Sequence, residues 1–370
     1  MPSLLRTLHK YLSLAFCILW FAQAVTGVAL VFRQELDDLL VRGPSRPLQV
    51  EALSQGLEAL QARHPDMKIT AFYPSGGAPG RFDVFMRRAD GRKDVFRVDG
   101  QGAILRQRPS NYDYAGAGLF QQATVLHQTL FSHQTGRWVI GFSGLLLLSN
   151  VIISLRLAWP KGAQAWRALR PRRGKTRAAT LFAWHRALGL WMVAPAVVIV
   201  AAGTAMAFDD PLEDWITGPQ AGPSMQLALN QPKAASLVTA GFAIGLAEHL
   251  HPGGGFAALQ YPQSGKPWFR VTLRSPAELR RVSGSTLVYV SCLSGRVLLD
   301  VDSARLPIRV KFWNSLYAVH TGEAGRLPGR IAAAAVGLAL ASMIVLGCLL
   351  WWNRRFKAGR TTLRRNPSPA

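Results

Sequence analysis

Cysteine is scarce, with three in 370 residues. Cys17 and Cys348 fall in long apolar runs and Cys292 stands outside them. No pair shares a compartment outside those runs, so a disulfide framework is not expected. H-E-x-x-H, a P-loop and a nucleophile elbow are all missing, which removes the commonest zinc-protease, nucleotide and acyl-transfer signatures. Acid is also short: 20 Asp and Glu face 43 Lys and Arg, a net charge of +23. Such an excess can mark nucleic-acid binding. Here the basic residues bracket apolar runs and form no single patch, so no nucleic-acid partner is expected.

Apolar length is abundant. Four runs, Tyr11–Phe32, Trp138–Trp159, Leu181–Phe208 and Ile331–Trp352, hold no Asp, Glu or Lys in their interiors. Each reaches the ~20 residues needed to cross a bilayer. Trp and Tyr crowd the flanks (Tyr11, Trp138, Trp159, Trp184, Trp351, Trp352), as expected at headgroup level. Ala22-Gln23-Ala24 has the form of a signal-peptide cleavage site. The run continues to Phe32 and has an internal twin, so an uncleaved span is expected.

Charge then sets orientation. The N-terminal stretch, the 160–180 loop and the tail after 353 carry fifteen basic and no acidic residues. All three fall on one side of a four-span topology. The positive-inside rule makes that side, with both termini, cytoplasmic. The long loops 33–137 and 209–330 hold all 20 acidic residues and read as folded outer domains.

The chain also repeats itself. His9-Lys10-Tyr11-Leu12 matches His185-Arg186-Ala187-Leu188, and at the same offset of 176 Gly27 meets Gly203 and Phe32 meets Phe208. At an offset of 193, His127 meets His320, Gly136-Arg137 meets Gly329-Arg330 and Gly144 meets Gly337. His64-Pro65 and Tyr73-Pro74 reappear as His251-Pro252 and Tyr261-Pro262. Within each loop a helical periodicity (Leu48–Arg63; Lys233–Leu250) precedes short strands. These are 81–86, 94–98 and 103–106, then 268–273, 286–291 and 296–300, with Gly-containing turns between them. The expected fold is a membrane α-helical protein of four spans in a tandem two-plus-two repeat, with two outer α+β domains. The expected boundaries are span 1 at 1–32 and the first outer domain at 33–120. Span 2 with its lead-in follows at 121–159, a basic loop at 160–180 and span 3 at 181–208. The second outer domain occupies 209–308, span 4 with its lead-in 309–353, and a basic tail 354–370.

These features resemble a known family. Leu8-His9-Lys10-Tyr11-Leu12-Ser13-Leu14, Trp184-His185-Arg186-Ala187-Leu188-Gly189-Leu190 and His320-Thr321-Gly322-Glu323, with two helix-plus-hairpin domains between spans, resemble the PepSY-associated transmembrane family of iron-regulated bacterial membrane proteins. The resemblance covers nearly the full chain. It implies an inner-membrane location, periplasmic PepSY-like domains and a haem-containing ferric-siderophore reductase that releases Fe(II). Some relatives carry a fused flavin reductase domain. These 370 residues contain none, so a separate donor, a flavoprotein or a quinol, is expected.

Eight histidines are present. A lone one near a membrane end is ordinarily interfacial, with a snorkelling ring. Four are matched: His9 with His185 at the cytoplasmic entrance, His127 with His320 at the outer entrance. Two pairs at two depths suit two b-type haems with imidazoles from different helices as axial iron ligands. C-x-x-C-H is absent, which excludes covalent c-type attachment. Arg137 and Arg330 are candidate partners for haem propionates. His133 has no repeat partner and is a substitute candidate for His127. His249 and His251, as H-x-H, read as a weak metal signal with a structural role preferred. Asp37-Asp38 and Glu213-Asp214 read as structural. The expected function is outward electron transfer to a ferric siderophore, with no side chain acting as a chemical catalyst. An iron or siderophore permease, and a PepSY-type regulatory or binding protein without redox activity, are the alternatives. The spans lack the intramembrane carboxylates and broken helices of many permeases.

Overall fold

A computed structural model describes residues 2–109, 118–160, 162, 165–218, 222–230, 232 and 238–357. Along the chain run helices α1 (Pro2–Val31), α2 (Arg33–Leu39) and α3 (Val50–Arg63), then strands β1 (Met67–Pro74), β2 (Arg81–Arg88), β3 (Lys93–Asp99) and β4 (Ile104–Pro109). Helices α4 (Leu119–Thr129), α5 (His133–Ala158), α6 (Ala165–Leu169), α7 (Arg177–Ala207), α8 (Asp209–Thr217), α9 (Met225–Leu229) and α10 (Ala240–Leu250) follow. Strands β5 (Gly255–Gln260), β6 (Trp268–Arg274), β7 (Thr286–Ser291) and β8 (Val297–Val301) precede α11 (Ile308–Thr321) and α12 (Arg326–Trp352). Part of the helix expected from Lys233, and part of the basic loop and tail, lie outside the described residues.

The chain divides into two compact units. The first comprises 1–31, 126–209 and 319–370. Its core is α1, α5, α7 and α12, four helices long and apolar enough to cross a membrane. The 30 residues of α1 make ~45 Å of helix, against a hydrocarbon core of about 30 Å. The helices therefore run past the apolar runs into polar sequence. At one such end Thr176 caps α7, its Oγ accepting from the Ala179 N–H at 3.2 Å. Each helix has two neighbours: α1 packs on α5 and α12, and α7 packs on the same two. Small residues permit this. A side chain at Gly337 would meet Val28 at 2.6 Å, and one at Gly144 would collide with Thr204. Close backbone approach of this kind replaces the hydrophobic drive that lipid removes.

The second unit comprises 32–125 and 210–318. Its centre is one antiparallel eight-stranded sheet in the order β4-β3-β2-β1-β5-β6-β7-β8. Each half of that sheet follows one helix, α3 or α10. Apolar residues of both helices (Leu53, Leu57, Ala243, Ile244) cover one face, over Phe72, Val84, Phe96, Leu259, Val271 and Val288. The halves meet where β1 pairs with β5 through Ala71↔Gln260 and Phe72↔Leu259. The Tyr261 N–H extends the seam to the Thr70 carbonyl at 3.0 Å. The sequence pattern points to two separate loop domains; the β1–β5 pairing instead joins their strands into one sheet.

The other face is fastened differently in its two halves. In the first half, the Arg97 guanidinium is buried among Asp37, Asp38 and Asp83. Asp38 also accepts from the Ser75 hydroxyl at 3.0 Å, and Arg81 donates to the Asp38 and Gly43 carbonyls. This charged brace fixes α2 to β2, β3 and the 75–78 turn. Burial raises the Asp37 carboxyl, but the hydrogen bond from Arg106 and the charges of Arg106, Arg97 and Arg108 outweigh it and leave its pKa below the ordinary value. In the second half, α9 lays Ala228 on Trp268 and Tyr289, with Leu287, Leu298 and Leu299 around them.

Candidate paired-histidine centre

The four matched histidines come together as two pairs, both inside the helical unit. His9 on α1 faces His185 on α7, with ring centres 6.3 Å apart. His127, near the end of α4, faces His320, near the end of α11, with ring centres 6.1 Å apart. His133 begins α5 with φ of +47°, is exposed, and takes no part in the pair.

Every ring is oriented through Nδ1. His9 Nδ1 lies 3.0 Å from Asn150 Oδ1, and the Asn150 amide donates onward to Ser13 Oγ at 3.0 Å. His127 Nδ1 lies 3.0 Å from Thr26 Oγ1 and also meets the Gln23 carbonyl. His185 Nδ1 meets the Met343 carbonyl at 3.0 Å, and His320 Nδ1 meets the Ile199 carbonyl at 2.8 Å. A carbonyl only accepts, so Nδ1 carries the proton in His185 and His320. Thr26 gives its own proton to the Ala22 carbonyl at 2.6 Å and therefore accepts from His127. The Asn150 oxygen likewise accepts from His9. All four are Nδ1–H tautomers, and the lone pair is at Nε2.

The acceptors have a pattern of their own. Gln23 and Ile199 are 176 residues apart, the offset of His9 and His185. Asn150 and Met343 are 193 apart, the offset of His127 and His320. In three of the four cases a glycine stands four residues after the acceptor: Gly27, Gly203 and Gly347. A Cβ at Gly27 would sit 3.2 Å from His127 Cε1, at Gly203 2.5 Å from His320 Cε1, and at Gly347 3.4 Å from His185 Cε1. One helical turn of backbone thus offers a carbonyl and, beside it, the bare surface on which the ring lies.

Neutral imidazole with Nδ1–H engaged and Nε2 free is the usual form of a histidine metal ligand. Two rings each ~2 Å from one metal have centres about 6 Å apart, which matches both pairs. Among the described residues no three His, Cys, Asp or Glu side chains gather around a common point. Two protein ligands suffice for a metal whose other positions belong to a macrocycle, and the pairs fit that case.

Other expected residues are elsewhere. Arg137 is ion-paired with Asp209 and reaches the Met206 carbonyl at the end of α7. Arg330 is buried and donates through Nε and Nη2 to the Val31 carbonyl at the end of α1. Both guanidiniums therefore hold helix C-termini, which is a different task from receiving propionates. His251 Nε2 lies 2.7 Å from Asp300 Oδ1, His64 packs on Phe96, and His249 is exposed; among the described residues none of the three joins a group that could hold a metal ion. Asp37 and Asp38 belong to the structural brace. Ser13, Thr26 and Asn150 were missed by sequence reasoning; polar residues inside otherwise apolar runs were the available signal.

A search of curated proteins finds no match. The family model for the PepSY-associated TM region matches residues 6–354, nearly the whole chain. With four membrane-crossing helices, this multi-pass membrane protein belongs to the PepSY-associated TM region family.

Proposed function

We propose that the protein is an inner-membrane di-haem reductase that carries electrons across the membrane to a ferric siderophore in the periplasm, releasing Fe(II). The observation that carries this reading is the pair of imidazole couples at ligand spacing, each with Nδ1 fixed and Nε2 available. In this reading both termini are cytoplasmic, the chain is a tandem repeat, and the sheet unit is two periplasmic PepSY-like domains fused at β1 and β5. His9 and His185 form the cytoplasmic-side centre, and His127 and His320 the outer one.

Haem b, when bound, supplies reversible one-electron chemistry. The chain's own residues do the rest. Nε2 of His9 and His185 would hold one haem iron and Nε2 of His127 and His320 the other, and the Nδ1 acceptors raise their basicity and prevent ring rotation. The apolar helices keep water out and, with the four imidazoles, would set the potential of a bound haem. The siderophore iron is substrate: one electron converts Fe(III) to Fe(II), whose lower charge weakens its hold on hard oxygen ligands. A separate flavoprotein or quinol supplies that electron.

The test is a visible spectrum of purified protein, oxidised and dithionite-reduced, with a pyridine haemochrome assay. Split haem bands and about two haems per chain are expected. His9→Ala or His185→Ala removes one haem, and His127→Ala or His320→Ala the other. Anaerobic addition of a ferric siderophore then reoxidises the wild type, with Fe(II) trapped by a colorimetric chelator. Folded protein that stays colourless after haem supplementation would overturn the reading in favour of a permease.

A further inference from the structure

The sheet face opposite α3 and α10 carries an arrangement that the haem pairs do not use. Register places Phe85 of β2, Ala71 of β1, Gln260 of β5, Arg270 of β6 and Tyr289 of β7 in one row of direct cross-strand neighbours. Their sequence neighbours Val84, Phe72, Leu259, Val271 and Val288 belong to the core on the opposite face, so the row shares one face. Tyr73 stands beside it, its ring edge-on to Phe85 at 5.5 Å and its hydroxyl accepting from Gln260 Nε2 at 3.3 Å.

Arg270 is the unusual member. Its Nε is buried with no hydrogen-bond partner. Among the described residues its guanidinium makes no ion pair or hydrogen bond, and no carboxylate occurs in its row. On the same face Arg97 shows what this sheet does with an arginine that serves the fold: it surrounds it with three carboxylates. A partly covered cation without a counter-charge has desolvation unbalanced by protein. Its row neighbours are Tyr289 on one side and Gln260 on the other, and Ala71 leaves a low floor between Gln260 and the aromatic Phe85. Tyr289 lies under α9, so the row's uncovered stretch runs from Phe85 to Arg270; with strands about 4.8 Å apart that is roughly 14 Å of sheet, room for a compact hexadentate chelate.

We propose that this row is a binding site for an anionic, aromatic metal chelate of the tris-catecholate class. Arg270 pairs with the ligand oxygens, Gln260 hydrogen-bonds them, and Tyr73 and Phe85 pack on the rings. The choice of a metal chelate rests on the reductase reading; the preference for negative charge and aromatic rings rests on the row itself. Guanidinium donors suit paired anionic oxygens in a way that ammonium does not.

The test uses gallium(III), which takes no electron under these conditions and so separates binding from reduction. Full-length protein in detergent is titrated calorimetrically with the gallium complex of a synthetic hexadentate tris-catecholate, triply anionic, and of a neutral tris-hydroxamate. The wild type binds the anionic complex more tightly than the neutral one. Arg270→Gln weakens the anionic complex by about tenfold or more and leaves the neutral one unchanged; Phe85→Ala weakens both several-fold. Arg305→Gln, exposed and remote from the row, changes neither. Equal binding by wild type and Arg270→Gln, with unaltered thermal unfolding, overturns the proposal. So does wild-type protein that ignores the anionic complex. Haem-loaded protein that ignores it would leave the histidine pairs standing. Haem-free protein that binds it through Arg270 would keep this site and remove the reductase reading.

Discussion

The two halves of the chain agree at the histidines and differ at the sheet. In the helical unit the first half supplies His9, His127, Gln23, Asn150 and Gly27, and the second supplies His185, His320, Ile199, Met343 and Gly203 in matching positions. In the sheet unit the first half is fastened by a buried arginine among carboxylates, and the second by tryptophan, tyrosine and leucine. Where two rings face each other across a point, the halves have equal residues. Where the task is only to hold a helix on a sheet, charge and apolar contact serve alike, with different sensitivities.

The largest effect is expected from removing the centre of the charged brace. Arg97→Leu leaves Asp83 without its cation, with only Arg106 on Asp37 and Arg81 on Asp38, and costs about 3–5 kcal/mol. Hydrogen-exchange mass spectrometry should show β2–β4 opening while β6–β8 stay protected. Adding Asp83→Asn to that variant restores part of the loss, because the uncompensated charge goes with it. Equal opening of both halves would show that the sheet has no separable parts.

The matched glycines sharpen the agreement side. A methyl at Gly203 comes within 2.5 Å of His320, whereas one at Gly27 is at 3.2 Å from His127. Gly203→Ala is expected to cost ~1–3 kcal/mol and, under the proposed di-haem reading, to lower the content of the haem assigned to His127 and His320. Gly27→Ala needs only a few tenths of an ångström of adjustment and should retain both haems. The reverse ranking in a haemochrome assay would break the match.

Acid distinguishes the fastenings next. Asp37 has its pKa held below the ordinary value, so its contribution is full above the unfolded-state value of about 3.9 and is lost as pH falls through the folded one. Exchange in β2–β4 should therefore accelerate below about pH 4 before that of β6–β8. The smallest effect belongs to His251→Gln. It removes a partly exposed contact with Asp300 and should change stability by no more than ~1 kcal/mol.

The spans were legible because lipid demands a long apolar run, and the strands 81–86 and 268–273 because alternate residues face a core. Strands β1 and β5 were not read. Both pair with a strand on each side, and their buried residues (Met67, Ala71, Phe72; Ala257, Ala258, Leu259) break the alternation. Each is the other's partner from just over half the chain away, so no local pattern announces it. The four histidines were legible from two fixed offsets. Their Nδ1 acceptors were not, since a backbone carbonyl has no letter in the sequence. Arg137 and Arg330 were visible as twins, but only the structure assigns them to helix ends.

The β1–β5 seam has a consequence for how the protein is made. Phe72 leaves the ribosome 187 residues before its partner Leu259. At about 5–20 residues per second, that interval is roughly 10–40 s. Throughout it β1 is an edge strand with open hydrogen-bonding groups, the feature that invites pairing with a wrong chain. Two membrane helices must be threaded before the right partner is synthesised. A nascent chain stalled after α7 would therefore carry a half-sheet with one sticky margin, and holdase capture or intermolecular strand exchange should concentrate at that margin.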